Sequence, residues 1–190
     1  MHIVTDIIAL LAANLVLSQA LGTSTLFIAA GSRHNLLNTT IVITIFTTLG
    51  SAAAYFIDRL LTGDHADLRL FAYTLVIGII YVLLLSASYF ISREYFEKTR
   101  KYIHVSAFNC AVMGTIFNIS LRAENDLRFM TFSAYLRTGL LAGLGFIVAA
   151  LILAAAYNRL RSSKVPASFR GFPAMLVYLG IISMAVYALR

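Results

Sequence analysis

Two polar stretches interrupt an otherwise apolar sequence, and they hold the residues most able to do chemistry. One reads Asn14-Leu15-Val16-Leu17-Ser18-Gln19-Ala20-Leu21-Gly22-Thr23-Ser24-Thr25; the other carries Asn109 and Cys110 followed by Gly114, Thr115 and Asn118. Cys110 is the only cysteine in 190 residues, which excludes an intrachain disulfide framework and any thiolate cluster built by this chain alone. Sulfur is the usual anchor of iron–sulfur clusters, so Cys110 could hold iron, or a disulfide partner, only together with another subunit. The competing reading of an isolated cysteine is a small, buried packing residue. Asn14 and Asn109 each need hydrogen-bond partners in hydrocarbon, and an interrupted helix offers free backbone groups to satisfy them. Each is expected to cap a helix break, with lining of an ion or cofactor path as the alternative.

The elements that position these residues are transmembrane helices. Hydrophobic residues make up 60% of the chain and charged residues only 12%, against roughly 45–50% and about 25% in soluble domains. A crossing helix needs about 20 mainly apolar residues. Apolar runs read against charged punctuation give spans at about 4 to 30, 36 to 57, 70 to 91, 104 to 121, 138 to 157 and 172 to 189. The first and fourth are the runs with polar, glycine-containing middles. The chain therefore reads as one all-α integral membrane domain over residues 1–190, with six transmembrane helices of which one and four are interrupted. If helix one ends near Gly31 and helix four begins near His104, Ser24 and Cys110 each lie roughly 9–11 Å in from the same face.

The net charge of +7 is spread over the gaps between spans, with no basic stripe of the kind nucleic-acid binding requires. Nine of the 15 Lys and Arg residues fall in the segments after helices one, three and five. The excess of positive charge marks cytoplasmic loops, which places both termini outside. The start, Met1-His2-Ile3-Val4-Thr5-Asp6, has no basic region before its apolar run, so a cleaved signal peptide is not expected.

A weak internal repeat accompanies this pattern. Leu21-Gly22-Thr23 recurs as Met113-Gly114-Thr115, and Ala52-Ala53-Ala54-Tyr55 with Arg59-Leu60 recurs as Ala154-Ala155-Ala156-Tyr157 with Arg159-Leu160. Halves of about 1–91 and 92–190 with three helices each would enter the membrane from opposite sides, a 3+3 inverted repeat in which interrupted helices build the functional site. Thr40, Thr44, Thr47, Thr48 and Ser51 share one face of helix two, and Gly139 and Gly143 form a small-xxx-small pair in helix five. Both read as surfaces for close helix packing.

Asp58, Glu94 and Glu97 fall at or near helix ends, so no carboxylate lies deep in a span, which argues against a self-sufficient pump. His34, His65 and His104 fall in or beside loops and read as solvated. No phosphate loop, HExxH pair or Ser/His/Asp set is visible.

Asn14-Leu15-Val16-Leu17 with Leu21-Gly22 and Ser32-Arg33, Asn109-Cys110-Ala111-Val112-Met113-Gly114, and Val165-Pro166-Ala167-Ser168-Phe169-Arg170-Gly171 together carry a resemblance. The sequence is similar to the Rnf and Nqr membrane subunits, of the Rnf A type and equally of its paralogue, the E type of the sodium-pumping NADH:quinone reductase. The resemblance implies a six-helix inverted-repeat subunit in the plasma (inner) membrane. It implies pairing with a sister subunit of Rnf E or Nqr D type in opposite orientation, alongside flavin- and iron–sulfur-bearing subunits. It also implies that each interrupted helix gives one cysteine to a [2Fe–2S] cluster shared by the two subunits. Cys110 matches the second family cysteine; the first is replaced by Ser24. Serine binds iron only as an alkoxide, a harder and rarer ligand than thiolate, so three outcomes stand open. Ser24 ligates, a partner or water fills its place, or the cluster has been lost.

The expected function is a membrane subunit of an ion-translocating oxidoreductase of Rnf type, supplying half of an intramembrane electron relay coupled to Na⁺ or H⁺ translocation. The alternative is a scaffold or transport subunit of the same kind of complex without the cluster, and a third reading is an independent small-solute carrier.

Overall fold

Asparagine and glycine divide the chain's apolar stretches where a continuous helix would otherwise run. The computed structural model describes residues 14–61 and 68–188, with only the backbone of Arg33. The helices are α1 Leu15–Gln19, α2 Thr23–Ala30, α3 Arg33–Leu60, α4 Arg69–Ile91, α5 Arg93–Ala107, α6 Cys110–Asn125, α7 Phe132–Leu160 and α8 Phe172–Tyr187, with a short 3-10 turn at Leu127–Phe129. There is no strand among the described residues. α3, α4 and α7 are each long and apolar enough to cross a membrane. α5 and α6 together make a bent apolar pair, with 46° between them, and α8 is a shorter apolar helix. The protein is an all-α membrane protein.

Both expected interruptions are present. The first run breaks at Ala20–Gly22, where Ala20 has φ 56° and Gly22 has φ 78°. Glycine occupies the left-handed region without the Cβ clash that costs other residues roughly 1–2 kcal/mol. The fourth run breaks at Phe108 and Asn109. Its N-terminal boundary differs from the expectation of a start near His104. α5 begins at Arg93, because Lys98 pairs with Glu94 at 2.6 Å and Arg100 with Glu97 at 3.5 Å one helical turn apart. Those pairs support helix through a segment that reads as charged loop by composition, while Tyr102, Ile103, Ser106 and Ala107 bury its last turns. The portion of the first span before Asn14, and His65, lie outside the described residues.

The chain forms two compact units, one of residues 1–40 with 144–190 and one of residues 41–143. In the first, α1 packs against α8, and the Ser183 hydroxyl of α8 donates to the Leu17 carbonyl. A five-residue helix leaves most of its carbonyls without internal partners, so this bond covers one at a cost hydrocarbon would otherwise impose. Phe27 and Phe172 meet edge to face at 5.0 Å, and Leu17, Leu26, Phe146 and Leu153 are fully enclosed.

In the second unit Phe46, Ile77, Val112, Ile116, Ile119, Tyr73 and Tyr135 share one buried cluster. Here the two packing surfaces expected from small residues meet each other. A Cβ built on Gly139 would lie 2.5 Å from the Thr47 carbonyl oxygen, and one on Gly143 would lie 2.8 Å from the Thr44 Cα. The threonines turn their hydroxyls back along their own helix, Thr48 and Thr47 donating to the Thr44 carbonyl at 2.7 and 3.1 Å. That satisfies each hydroxyl locally and leaves its methyl for the interface. α4 buries few residues and presents Ile79, Val82, Leu83 and Phe90 outward, as a helix facing lipid does.

The repeated Ala-Ala-Ala-Tyr segments end in similar local geometry. The Arg59 guanidinium lies 5.0 Å over the Tyr55 ring and that of Arg161 lies 5.2 Å over the Tyr157 ring, each four residues on. The second tyrosine thus pairs with Arg161 rather than with the Arg159 that the sequence repeat aligns, because i,i+4 is the spacing that stacks side chains on one helix face.

Candidate functional site

The half-helix starts are built by the two asparagines in the same way. Asn14 and Asn109 both have extended backbones, and each side-chain oxygen accepts from the backbone N–H two residues ahead, Val16 and Ala111, at 2.9 Å. Asparagine is among the strongest N-caps because its side-chain oxygen replaces a missing helical acceptor. The capping role expected for both is what they perform. Their amide nitrogens differ: that of Asn14 donates to the Gly145 carbonyl at 2.6 Å, whereas that of Asn109, 5% exposed, is buried without a partner among the described residues.

Cys110 follows Asn109 as the first residue of α6, and its side chain is exposed. This overturns the reading of Cys110 as a buried packing residue, since the N-cap turns the first helical position outward while Ala111 and Val112 take the buried face. Ser24 is the second residue of α2, after the Gly22 cap, and is likewise exposed. Both candidate ligands therefore occupy the first turn of a helix that starts at a break. The unpaired backbone N–H groups there favour negative charge by roughly 0.3–1 kcal/mol. Ser24 belongs to the first compact unit and Cys110 to the second.

Among the described residues no group of three or more His, Cys, Asp or Glu could hold a metal ion. This chain offers one exposed sulfur, Cys110, and one exposed hydroxyl, Ser24, at its two helix starts.

His34 and His104 are exposed, as their positions suggest, and each has a polar neighbour. The Tyr81 hydroxyl lies 2.6 Å from His104 Nδ1, with ring centroids 5.5 Å apart, and His34 Nε2 lies 3.0 Å from the Asn38 amide.

Sequence reading missed one further cluster, in the second unit. Asp58, two residues from the end of α3 and half-buried, accepts hydrogen bonds from the hydroxyls of Tyr73 on α4 and Tyr135 on α7, the latter at 2.5 Å. The Ser120 hydroxyl of α6 lies 2.9 Å from that of Tyr73. Arg69 pairs with Glu124 nearby, and a cavity of about 200 Å³ opens beside these groups. Asp58 is near a helix end, as expected, and its hydrogen bonds to two other helices had no sequence signal beyond the tyrosines at the starts of two spans.

A sequence model of the family described as "Rnf-Nqr subunit, membrane protein" matches residues 3–190. The A-type subunit of the ion-translocating oxidoreductase complex of Histophilus somni (strain 2336) is 30% identical over 141 residues, covering 73% of this chain and 69% of the relative. That of Pseudoalteromonas translucida (strain TAC 125) is 26% identical over 174 residues, covering 90% and 87%. The A-type subunit of the Na(+)-translocating ferredoxin:NAD(+) oxidoreductase complex of Acetobacterium woodii is 26% identical over 174 residues, covering 90% and 88%. A match from the third residue to the last, on a chain of broken apolar helices, places it with these membrane subunits: the chain belongs to the Rnf-Nqr family.

Proposed function

We propose that this chain is the A-type membrane subunit of an ion-translocating oxidoreductase complex of Rnf type, and that it supplies half of an intramembrane electron relay. The observation that carries the reading is Cys110: the only sulfur nucleophile of the chain stands exposed at the start of a half-helix, in a family whose relatives bear that complex's name. Cys110 would give one thiolate to a [2Fe–2S] cluster held jointly with a sister membrane subunit of Rnf E or Nqr D type. The cluster, when bound, supplies a one-electron carrier between flavin- and iron–sulfur-bearing subunits on the two sides of the inner membrane. Both termini of this chain lie on the outer side in this reading, from the distribution of Lys and Arg.

The protein's own contribution is positional. The Asn109 cap fixes where α6 begins, the break bends α5 from α6 by 46°, and the helix start favours the anionic ligand set. The test uses the purified complex with this chain in place. The expected result is that iron content falls and one paramagnetic signal is lost in Cys110→Ala, and that both rise in Ser24→Cys. Iron content and a full set of signals unchanged by Cys110→Ala refute the relay reading.

Ser24 itself favours a second reading, a scaffold or transport subunit of the same complex that works without the cluster. Normal assembly and turnover in the Cys110→Ala complex is the outcome that selects it.

A further inference from the structure

The cluster at the end of α3 plays no part in the relay just proposed, and its hydrogen bonding has a direction. Each hydroxyl carries one proton. Both carboxylate oxygens of Asp58 accept from tyrosine hydroxyls, Tyr73 on one and Tyr135 on the other. With the Tyr73 proton committed to Asp58, the 2.9 Å contact between Tyr73 and Ser120 is a bond that Ser120 donates. The chain of donors therefore runs from Ser120 through Tyr73 to the carboxylate.

The charges around Asp58 come from every helix packed against it. Tyr55 and Arg59 stand on its own helix, Arg69 and Tyr73 on α4, Ser120 and Glu124 on α6, and Tyr135 on α7. Arg69 is engaged by Glu124 and by the Leu61 carbonyl at 2.8 Å, and Arg59 stacks on Tyr55. Asp58 forms no ion pair among the described residues. Its hydrogen bonds come from neutral donors alone, beside a cavity of about 200 Å³ that has room for several waters at about 30 Å³ each. Arg59 and Arg69 line that cavity together with Asp58 and Glu124, and no group of three or more His, Cys, Asp or Glu gathers there among the described residues, so it offers a metal cation no ligand set.

We infer that Asp58 is a reversible proton-binding site, loaded from the cavity and wired through Tyr73 to Ser120. Loading forms one O–H bond on a carboxylate oxygen of Asp58. The new O–H then donates to Tyr73, whose hydroxyl turns to donate to Ser120, so the wire reverses with no electron transferred and no other bond broken. The inference goes beyond the electron relay and does not require the cluster.

Infrared difference spectroscopy on the purified complex, titrated with acid, tests it. A protonated-carboxyl band is expected that shifts in D₂O, disappears in Asp58→Asn and persists in Glu124→Gln. Tyr73→Phe and Tyr135→Phe are expected to move its frequency, because each removes one hydrogen bond to the group. Where Asp58→Asn does not assemble, Asp58→Glu serves, and the band must move. A band unchanged in both Asp58 variants overturns the inference. So does the suppression of the band by added Na⁺ at constant pH, which would make the ligand a metal cation.

Discussion

Replacing Asn14 by alanine should destabilise the protein more than the same change at Asn109, although the two residues cap their helices identically. Asn14 is 3% exposed and makes two bonds, accepting from the Val16 N–H at 2.9 Å and donating to the Gly145 carbonyl at 2.6 Å. Loss of an N-cap costs about 1 kcal/mol, and a hydrogen bond between helices of a membrane bundle averages about 0.6 kcal/mol with a maximum near 1.7. Asn14→Ala should therefore cost roughly 1.5–3 kcal/mol, a tenfold to hundredfold shift in the folded-to-unfolded ratio at about 1.4 kcal/mol per decade.

Asn109→Ala loses only the cap, and it also removes an amide nitrogen buried without a partner, whose desolvation costs about 1–3 kcal/mol. Its net cost should be near zero. Reversible unfolding of the purified subunit in mixed micelles, followed by circular dichroism, measures both. Gly145→Ala is a third arm, since its Cβ would stand 3.2 Å from the Asn14 Cγ and push the amide off its acceptor. Equal costs for the two asparagine variants, or a larger one for Asn109→Ala, would refute the assignment of the 2.6 Å bond as the difference between the breaks.

Two other outcomes follow from the same geometry. Gly139→Ala and Gly143→Ala should lower the thermal midpoint of the purified subunit, since each Cβ would fall within 3.0 Å of backbone on α3 and overpacking costs roughly 1–3 kcal/mol. Gly78→Ala, with nothing within 4 Å of its Cβ, should be neutral or stabilising by up to about 1 kcal/mol. In the loop after α6 the Arg128 side chain, and then its backbone N–H, hold the Asp126 carboxyl below the ordinary carboxylate range. Because the folded value lies below the unfolded one, that support is present above the ordinary range and disappears as pH falls through the depressed value. Protection from hydrogen exchange at residues 127–130, relative to the intrinsic rate at each pH, should therefore fall in acid, and Arg128→Ala should move that fall to higher pH.

Much of the architecture was legible because it depends on local chemistry. An asparagine side-chain oxygen can replace a missing helical acceptor, and glycine takes a left-handed turn without a steric cost, so Asn14, Gly22 and Asn109 mark their breaks. The threonine face around Thr44 and Thr47 and the Gly139-Gly143 pair announce close packing by size alone. The start of α5 was not legible, since Arg93 to Lys101 is a charged loop by composition and a helix only through pairs such as Glu94 with Lys98.

Composition and spacing by themselves determined that this chain crosses a membrane, that its first and fourth apolar runs are broken, and that Cys110 follows a cap. Those properties belong to single residues and to the solvent they must enter. Tertiary structure alone decided that Cys110 faces outward, that Asn14 finds Gly145 while the Asn109 amide finds no partner among the described residues, and that Asp58 meets Tyr73 and Tyr135, with Ser120 behind Tyr73. Asp58 and Tyr135 lie 77 positions apart, and no periodicity within one helix records which residue of another will stand opposite. Only the packing of one helix on the next sets that distance, and with it the hydrogen bonds available to a buried charge.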